Sequence, residues 1–224
     1  MRIKNVRMDT LAFAKSIGEV FQARADEDPI VNMKIESSDP LITPYASCRP
    51  EELSLHTDYA TFSEPPRFTI THCLEPDPEF PRLGKSIVVE LEPVLRHLCE
   101  HEPVLDQLLR ERALPFRRNA EHDAYHQGVP AFPVLAQDRV RFDSTLILPW
   151  LDASDTEQDR DLARAVRRFE ILCRDLGKRT EFALERWEVL IMDNRRVVHS
   201  RGPCSIRREG GCIQSREVNL AFLV

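Results

Sequence analysis

The last part of this chain is nearly unbroken β-sequence. TEFALE, WEVLIMD, RRVVHS and REVNLAFLV follow one another from residue 180 to the C-terminus. Each is rich in branched and aromatic residues, and MDNR between the middle two supplies a turn. A second group lies earlier: LSLHTDYATF (53–62), then FTITHCL (68–74), separated from it by Glu64-Pro65-Pro66, and SIVVEL (86–91). Helical patterns fall before and between these groups. Residues 9–22 carry Leu11, Ala14, Ile17 and Phe21 at helical spacing behind Asp9, a candidate cap. Residues 92–112 read as a helix in two pieces, with Pro93 at a start and Pro103 forcing a restart. Residues 155–175 read as the longest helix, with Ser154 and Glu157 at capping-box spacing and Leu162, Val166, Phe169 and Cys173 on one face. Strands gathered in two groups predict a mainly β core with helices packed outside it, rather than βαβ units. No repeat or linker interrupts residues 1–224, so a single domain with helical additions is expected.

Composition narrows the function classes. The 224 residues carry a net charge of −6, with no concentrated basic face, which argues against a nucleic-acid partner. No apolar run approaches the ~18 residues of a membrane span, and MRIKNVRMDT has no signal-peptide core. The six cysteines (48, 73, 99, 173, 204 and 212) form no C-x-x-C pair and fall largely in apolar runs. Reduced, mostly buried thiols in a cytoplasmic protein are therefore expected, and a zinc ribbon is not. G-x-G-x-x-G, Walker A and G-x-S-x-G are all absent, leaving nucleotide folds and hydrolases without support.

The chemistry-bearing residues are few. His56 and Asp58 are two apart on an expected strand, so both side chains point to one face. His199 lies far along the chain on another β-like run. Two histidines and a carboxylate on one side of an ion make a facial triad, which leaves positions open and suits iron(II). Zinc is the rival for such a set, but it has no use for the anion-binding groups nearby. Those are Arg216, opening the last strand, and Ser86, opening an earlier one. Together they can hold a carboxylate, though an arginine at a strand end can equally turn its head to solvent.

LSLHTDYATFSEPPRFTITHCLEPDP followed by GKSIVVEL, and WEVLIMDNRRVVHSRG followed by REVNLAFLV, resemble the TauD/clavaminate synthase-like branch of the iron(II)/2-oxoglutarate dioxygenases. The resemblance runs from about Leu11 to the C-terminus. It implies a double-stranded β-helix, the jelly roll of cupin-like folds. It implies His56, Asp58 and His199 as the metal ligands, Arg216 as the partner of the distal carboxylate of 2-oxoglutarate, and Ser86 as its assistant. Asn194 and Arg196, in D-N-x-R, are expected to support the distal histidine. The implied cofactors are Fe(II), the co-substrate 2-oxoglutarate and O2. The implied reaction is hydroxylation of an unactivated C–H bond in a small molecule, an amino acid or natural-product intermediate, with release of succinate and CO2. Desaturation and ring closure are variants of it.

Departures from the family pattern are specific. Tyr59 follows H-T-D where glycine is common, and Ser200 stands in place of glycine in H-G-R. The stretch from His199 to Arg216 is long, which leaves Arg207 and Arg208 as alternative anion partners. Asp58 argues against a halogenase. A non-catalytic jelly roll that keeps the fold for binding is the competing function class. Among the other candidates, His72 reads as a core histidine, Trp150 and Trp187 as core, and His122 and His126 as solvent-facing or near a substrate mouth. Arg141 and Asp143 read either as a cross-strand ion pair or as substrate contacts.

Overall fold

In the computed structural model, residues 1–224 are described except 24, 25, 40, 44, 118–127, 138 and 211. The larger sheet is built on β3 (Phe68–Glu75), whose residues 69–73 are all buried. It pairs antiparallel with β12 (Glu217–Leu223) on one side and β8 (Val189–Asp193) on the other. β1 (Arg2–Ile3) and β2 (Val31–Lys34) complete the order β1-β8-β3-β12-β2. The smaller sheet runs β7 (Lys178–Phe182), β4 (Ser86–Glu90), β9 (Val197–Arg201), again antiparallel. Isolated bridges carry it further, from His199 to His56 and from His56 to Asp143. Two short ladders remain: β5 (Leu114–Pro115) with β6 (Ala131–Phe132), and the hairpin of β10 (Ile206–Glu209) and β11 (Cys212–Ser215).

Alternation explains how the sheets face each other. Cys73, Leu190, Met192 and Val218 of the larger sheet share one core with Val88 and Val197 of the smaller. The intervening residues face outward onto helices. Ile70, Val189, Ala221 and Leu223 pack against Phe13 and Ala14 of α1 (Thr10–Ile17). Ile87, Val89 and Val198 pack under α2 (Glu92–His101), α3 (Pro103–Glu111), α4 (Ser144–Asp152) and α5 (Glu157–Leu176). Two antiparallel sheets closed around a shared interior make the jelly roll the sequence led us to expect.

Several local expectations change. α1 stops at Ile17 before Gly18, short of residue 22. The cap of α5 is Thr156, whose hydroxyl accepts from Asp159 N, rather than Ser154. α4 was not anticipated, because Pro149 inside it reads as a breaker. Neither tryptophan is core: Trp150 is exposed beneath Arg117, and Trp187 is half-buried at φ 65°. All six cysteines are free, yet Cys99 and Cys212 are exposed. No helix among the described residues is long and apolar enough to cross a membrane.

Candidate metal centre

His56 reaches its position through β9. Its backbone exchanges both hydrogen bonds with His199 (2.9 and 2.8 Å), so the two residues stand directly opposite one another. Their rings lie 4.5 Å apart, centroid to centroid. LSLHTD is not the regular strand its composition suggests. After His56 the backbone bends away, with Thr57 N donating to Phe142 O (2.7 Å) and Tyr59 entering the left-handed region at φ 53°. That conformation explains the value of glycine at this point, since a side chain there costs about 1 kcal/mol. Edge-on contacts of the Tyr59 ring with Phe21, Phe62 and Phe222 offset the cost.

Asp58 completes the cluster. Its carboxylate stands 4.0 Å from His56 Nε2 and 3.3 Å from His199 Nε2. Donor atoms of the three residues all lie within 4.8 Å of one another, and no other such group occurs among the described residues. Ligands at adjacent corners around an ion with bonds of about 2.1 Å are separated by about 3 Å, so a small contraction onto a metal suffices. His56 Nδ1–H donates to Ser54 O (2.8 Å), which leaves the Nε2 lone pair facing the cluster. Burial, followed by the neighbouring His199, lowers the pKa of His56 and favours the neutral, ligating form. Burial alone would raise the Asp58 carboxyl. The His199 charge and hydrogen bond, the His56 charge and the Thr69 hydroxyl (2.6 Å) outweigh it and hold the carboxyl well below the usual range.

The supporting residues differ from expectation. Asn194, 2 % exposed, does not touch His199. Its Oδ1 accepts from Asp58 N (2.8 Å), and its Nδ2 donates to Asp58 O and Pro66 O (3.0 Å each). The turn therefore holds the carboxylate ligand. Arg196 is exposed and faces Asp193. His199 Nδ1 is buried without a hydrogen-bond partner. Arg201, two residues beyond His199 and buried, bonds Arg49 O (2.6 Å), Glu51 O (2.9 Å), Gly202 O (2.9 Å) and Cys204 Sγ (3.0 Å). It thereby clips the segment leading into His56 onto β9. Thr69 and Arg201 were missed as supports. Their sequence signals were alternation on an inward strand face and the H-x-R spacing.

Arg216 is buried, and its one hydrogen bond among the described residues runs from Nη2 to Ser86 Oγ (3.2 Å). No described carboxylate pairs with it, and burial lowers its pKa. A buried guanidinium with so little compensation is a receptor for an anion. Ser86 and Val88 share a face of β4, and Val88 pairs with His199. The anchor thus lies about 7 Å along the strand from the histidine row. Arg207 and Arg208, the alternatives, are exposed on the β10–β11 hairpin.

A chamber of about 400 Å³ opens over the cluster, with His56, Asp58, Tyr59, Phe62, Asp143 and Phe222 in its wall. A larger cavity of about 790 Å³ elsewhere contains none of the three ligands. Asp143 caps α4 through Thr145, while Arg141 donates to Ser63 O and covers the Phe132 ring, so the two form no ion pair. His72 is a buried histidine bonded to Thr10 and Val6. His122 and His126 lie outside the described residues.

Comparison with known proteins agrees with this geometry. Residues 3–211 match the family described as taurine catabolism dioxygenase TauD, TfdA family, a span that ends before Arg216. Gamma-butyrobetaine dioxygenase of Pseudomonas sp. (strain AK-1) is 29% identical over 179 residues, covering 77% of this chain and 45% of that protein. Asparagine oxygenase superposes with a TM-score of 0.66 at 20% identity, over 92% of this chain and 59% of its own. The non-heme iron oxygenase OrfP, in complex with Fe and alpha-ketoglutaric acid, superposes with a TM-score of 0.68 at 19% identity, over 95% and 62%. The chain thus spans roughly half to two thirds of the length of these relatives, as the covered shares of 45%, 59% and 62% indicate.

Proposed function

We propose, for a chain that belongs to the TauD, TfdA dioxygenase family, that His56, Asp58 and His199 hold iron(II) and that Arg216 with Ser86 holds the distal carboxylate of 2-oxoglutarate. The observation that carries this reading is the pairing of two features: three convergent donors, and a buried, uncompensated guanidinium on the same inner face. Iron and 2-oxoglutarate, when bound, supply the oxidising chemistry with O2, and succinate and CO2 leave as by-products. The protein's share is positional. Ser54 fixes the His56 ring, Thr69 and Asn194 fix Asp58, and Arg201 holds the approach to His56. Tyr59, Phe62 and Phe222 wall the chamber in which a substrate C–H would lie, and limit water there.

The reaction we infer is hydroxylation of a small molecule, with an amino acid or another amine-bearing compound as substrate. Glu27 and Asp143 in the chamber wall, with no lysine or arginine among its described residues, support a positively charged group. Relatives named for gamma-butyrobetaine, asparagine and hydroxy-arginine point the same way. The intact donor set favours catalysis over a binding-only jelly roll. The test is a screen for substrate-dependent succinate release against amino acids, free and carrier-bound. His199→Ala and Asp58→Ala should abolish the signal, and full turnover in either variant would overturn the assignment.

A further inference from the structure

Arg216 follows directly after the β10–β11 hairpin, an insertion whose placement decides where the guanidinium sits. The hairpin's first rung pairs Ile206 with Ser215, the residues next to Ser205 and Arg216. Whatever holds Ser205 therefore sets the start of β12. That holder is Asp77, from the β3–β4 loop and only 4 % exposed. Its Oδ2 accepts from Ser205 N (2.8 Å), and its Oδ1 accepts from Ser205 Oγ and from Glu79 N (2.9 Å). An aspartate that only shapes its own turn needs one oxygen on the amide two residues on. Here the second oxygen reaches across 128 residues of sequence.

Gly84 lies against both Asp77 and Arg216. At φ +68°, it approaches so closely that a Cβ there would come within 2.6 Å of Asp77 Cβ and 3.0 Å of Arg216 Cδ. Gly84 N donates to Pro203 O (2.8 Å) and Gly202 N to Lys85 O (2.9 Å), so the loops before β4 and before β10 are laced together. Ser86 comes two residues after Gly84. The same lacing thus seats both members of the anion anchor. Asp77 also makes no ion pair with Arg216 among the described residues, because neutral donors occupy its oxygens.

We propose that Asp77 is a positioning residue for the anion anchor: it ties the β3–β4 loop to the root of the β10–β11 hairpin and stations Arg216 beside Ser86 without capturing its N–H donors. The proposal rests on the reading of Arg216 as the 2-oxoglutarate anchor. Its role is separable from metal binding, since Asp77 bonds none of His56, Asp58 or His199.

The test compares two anions on the manganese-loaded protein by calorimetry. N-oxalylglycine carries a chelating end and a distal carboxylate, whereas oxalate chelates only. In Asp77→Asn, which keeps the shape but turns an N–H toward Ser205, N-oxalylglycine should bind about tenfold more weakly and oxalate within about twofold of wild type. Ser205→Ala should shift the first affinity in the same direction by less. The KM for 2-oxoglutarate should rise in both variants with kcat little changed. Equal weakening of both anions would make Asp77 a general support of the fold, and no weakening of either would leave it a turn former; each result overturns the proposal. Wild-type protein that binds N-oxalylglycine no better than oxalate would instead remove the Arg216 anchor itself.

Discussion

Replacing Asn194 by alanine tests the reassignment of the D-N-x-R turn from the distal histidine to the carboxylate ligand. The side chain makes three hydrogen bonds to backbone groups of Asp58 and Pro66 and is 2 % exposed. At about 1 kcal/mol net for each, the loss is about 3 kcal/mol, and more if the stranded backbone groups stay dry. For a chain of this size, about 3 kcal/mol lowers Tm by about 6–12 °C, measurable by calorimetry on metal-free protein. Metal affinity should also fall, by about 10–100-fold, because Asp58 loses the clamp on its own amide and carbonyl. A double-mutant cycle identifies the route. In an Asp58→Ala background the further effect of Asn194→Ala on metal affinity should vanish. Persistence of the full effect, or a Tm change below about 2 °C in the single variant, would refute the reasoning.

Three further outcomes follow from the same contacts. Arg216→Ala should raise the KM for 2-oxoglutarate at least about 50-fold, consistent with losing a charge-assisted contact of about 2–3 kcal/mol, whereas Arg207→Ala and Arg208→Ala should change it less than about twofold; steady-state kinetics on succinate release decides. Arg201→Lys should not restore the clip, since one ammonium cannot reach the carbonyls of Arg49, Glu51 and Gly202 together; faster proteolysis near residues 49–53 and weaker metal binding are expected, and wild-type behaviour in both would contradict it. His72, whose pKa burial lowers from 6.5, contributes its stability above about pH 6.5, where folded and unfolded chains are both neutral. As pH falls below that value the unfolded chain takes the proton first, so the unfolding free energy of wild type should fall toward that of His72→Gln between about pH 6.5 and 5. Parallel curves would exclude the link.

Much of the fold was legible because it is written in alternation. FTITHCL, SIVVEL and REVNLAFLV each bury both faces, one in the shared interior and one under a helix, and strand-forming residues mark them without tertiary knowledge. The site was legible as residue types but not as geometry. His56 and Asp58 do share a face of the centre, yet the route is a bend through Tyr59, which H-T-D spacing cannot reveal. α4 was hidden by Pro149, and the β10–β11 hairpin by a sequence of charged and glycine residues that reads as loop. Asn194 was noticed but given to the wrong ligand, because a turn residue's partner is decided by which chain segment packs against it. Pro66 and Asp58 are 128 and 136 residues away in sequence.

Three donors on segments far apart in the chain make sense together only if one ferrous ion and one oxo acid occupy the space between them and the guanidinium. Anaerobic addition of iron(II) and then 2-oxoglutarate to the purified chain should raise a weak visible charge-transfer band that saturates at one equivalent of each. The band should be missing in His199→Ala and need far more 2-oxoglutarate in Arg216→Ala. A wild-type protein that stays colourless, or a His199→Ala variant that develops the full band, would contradict it.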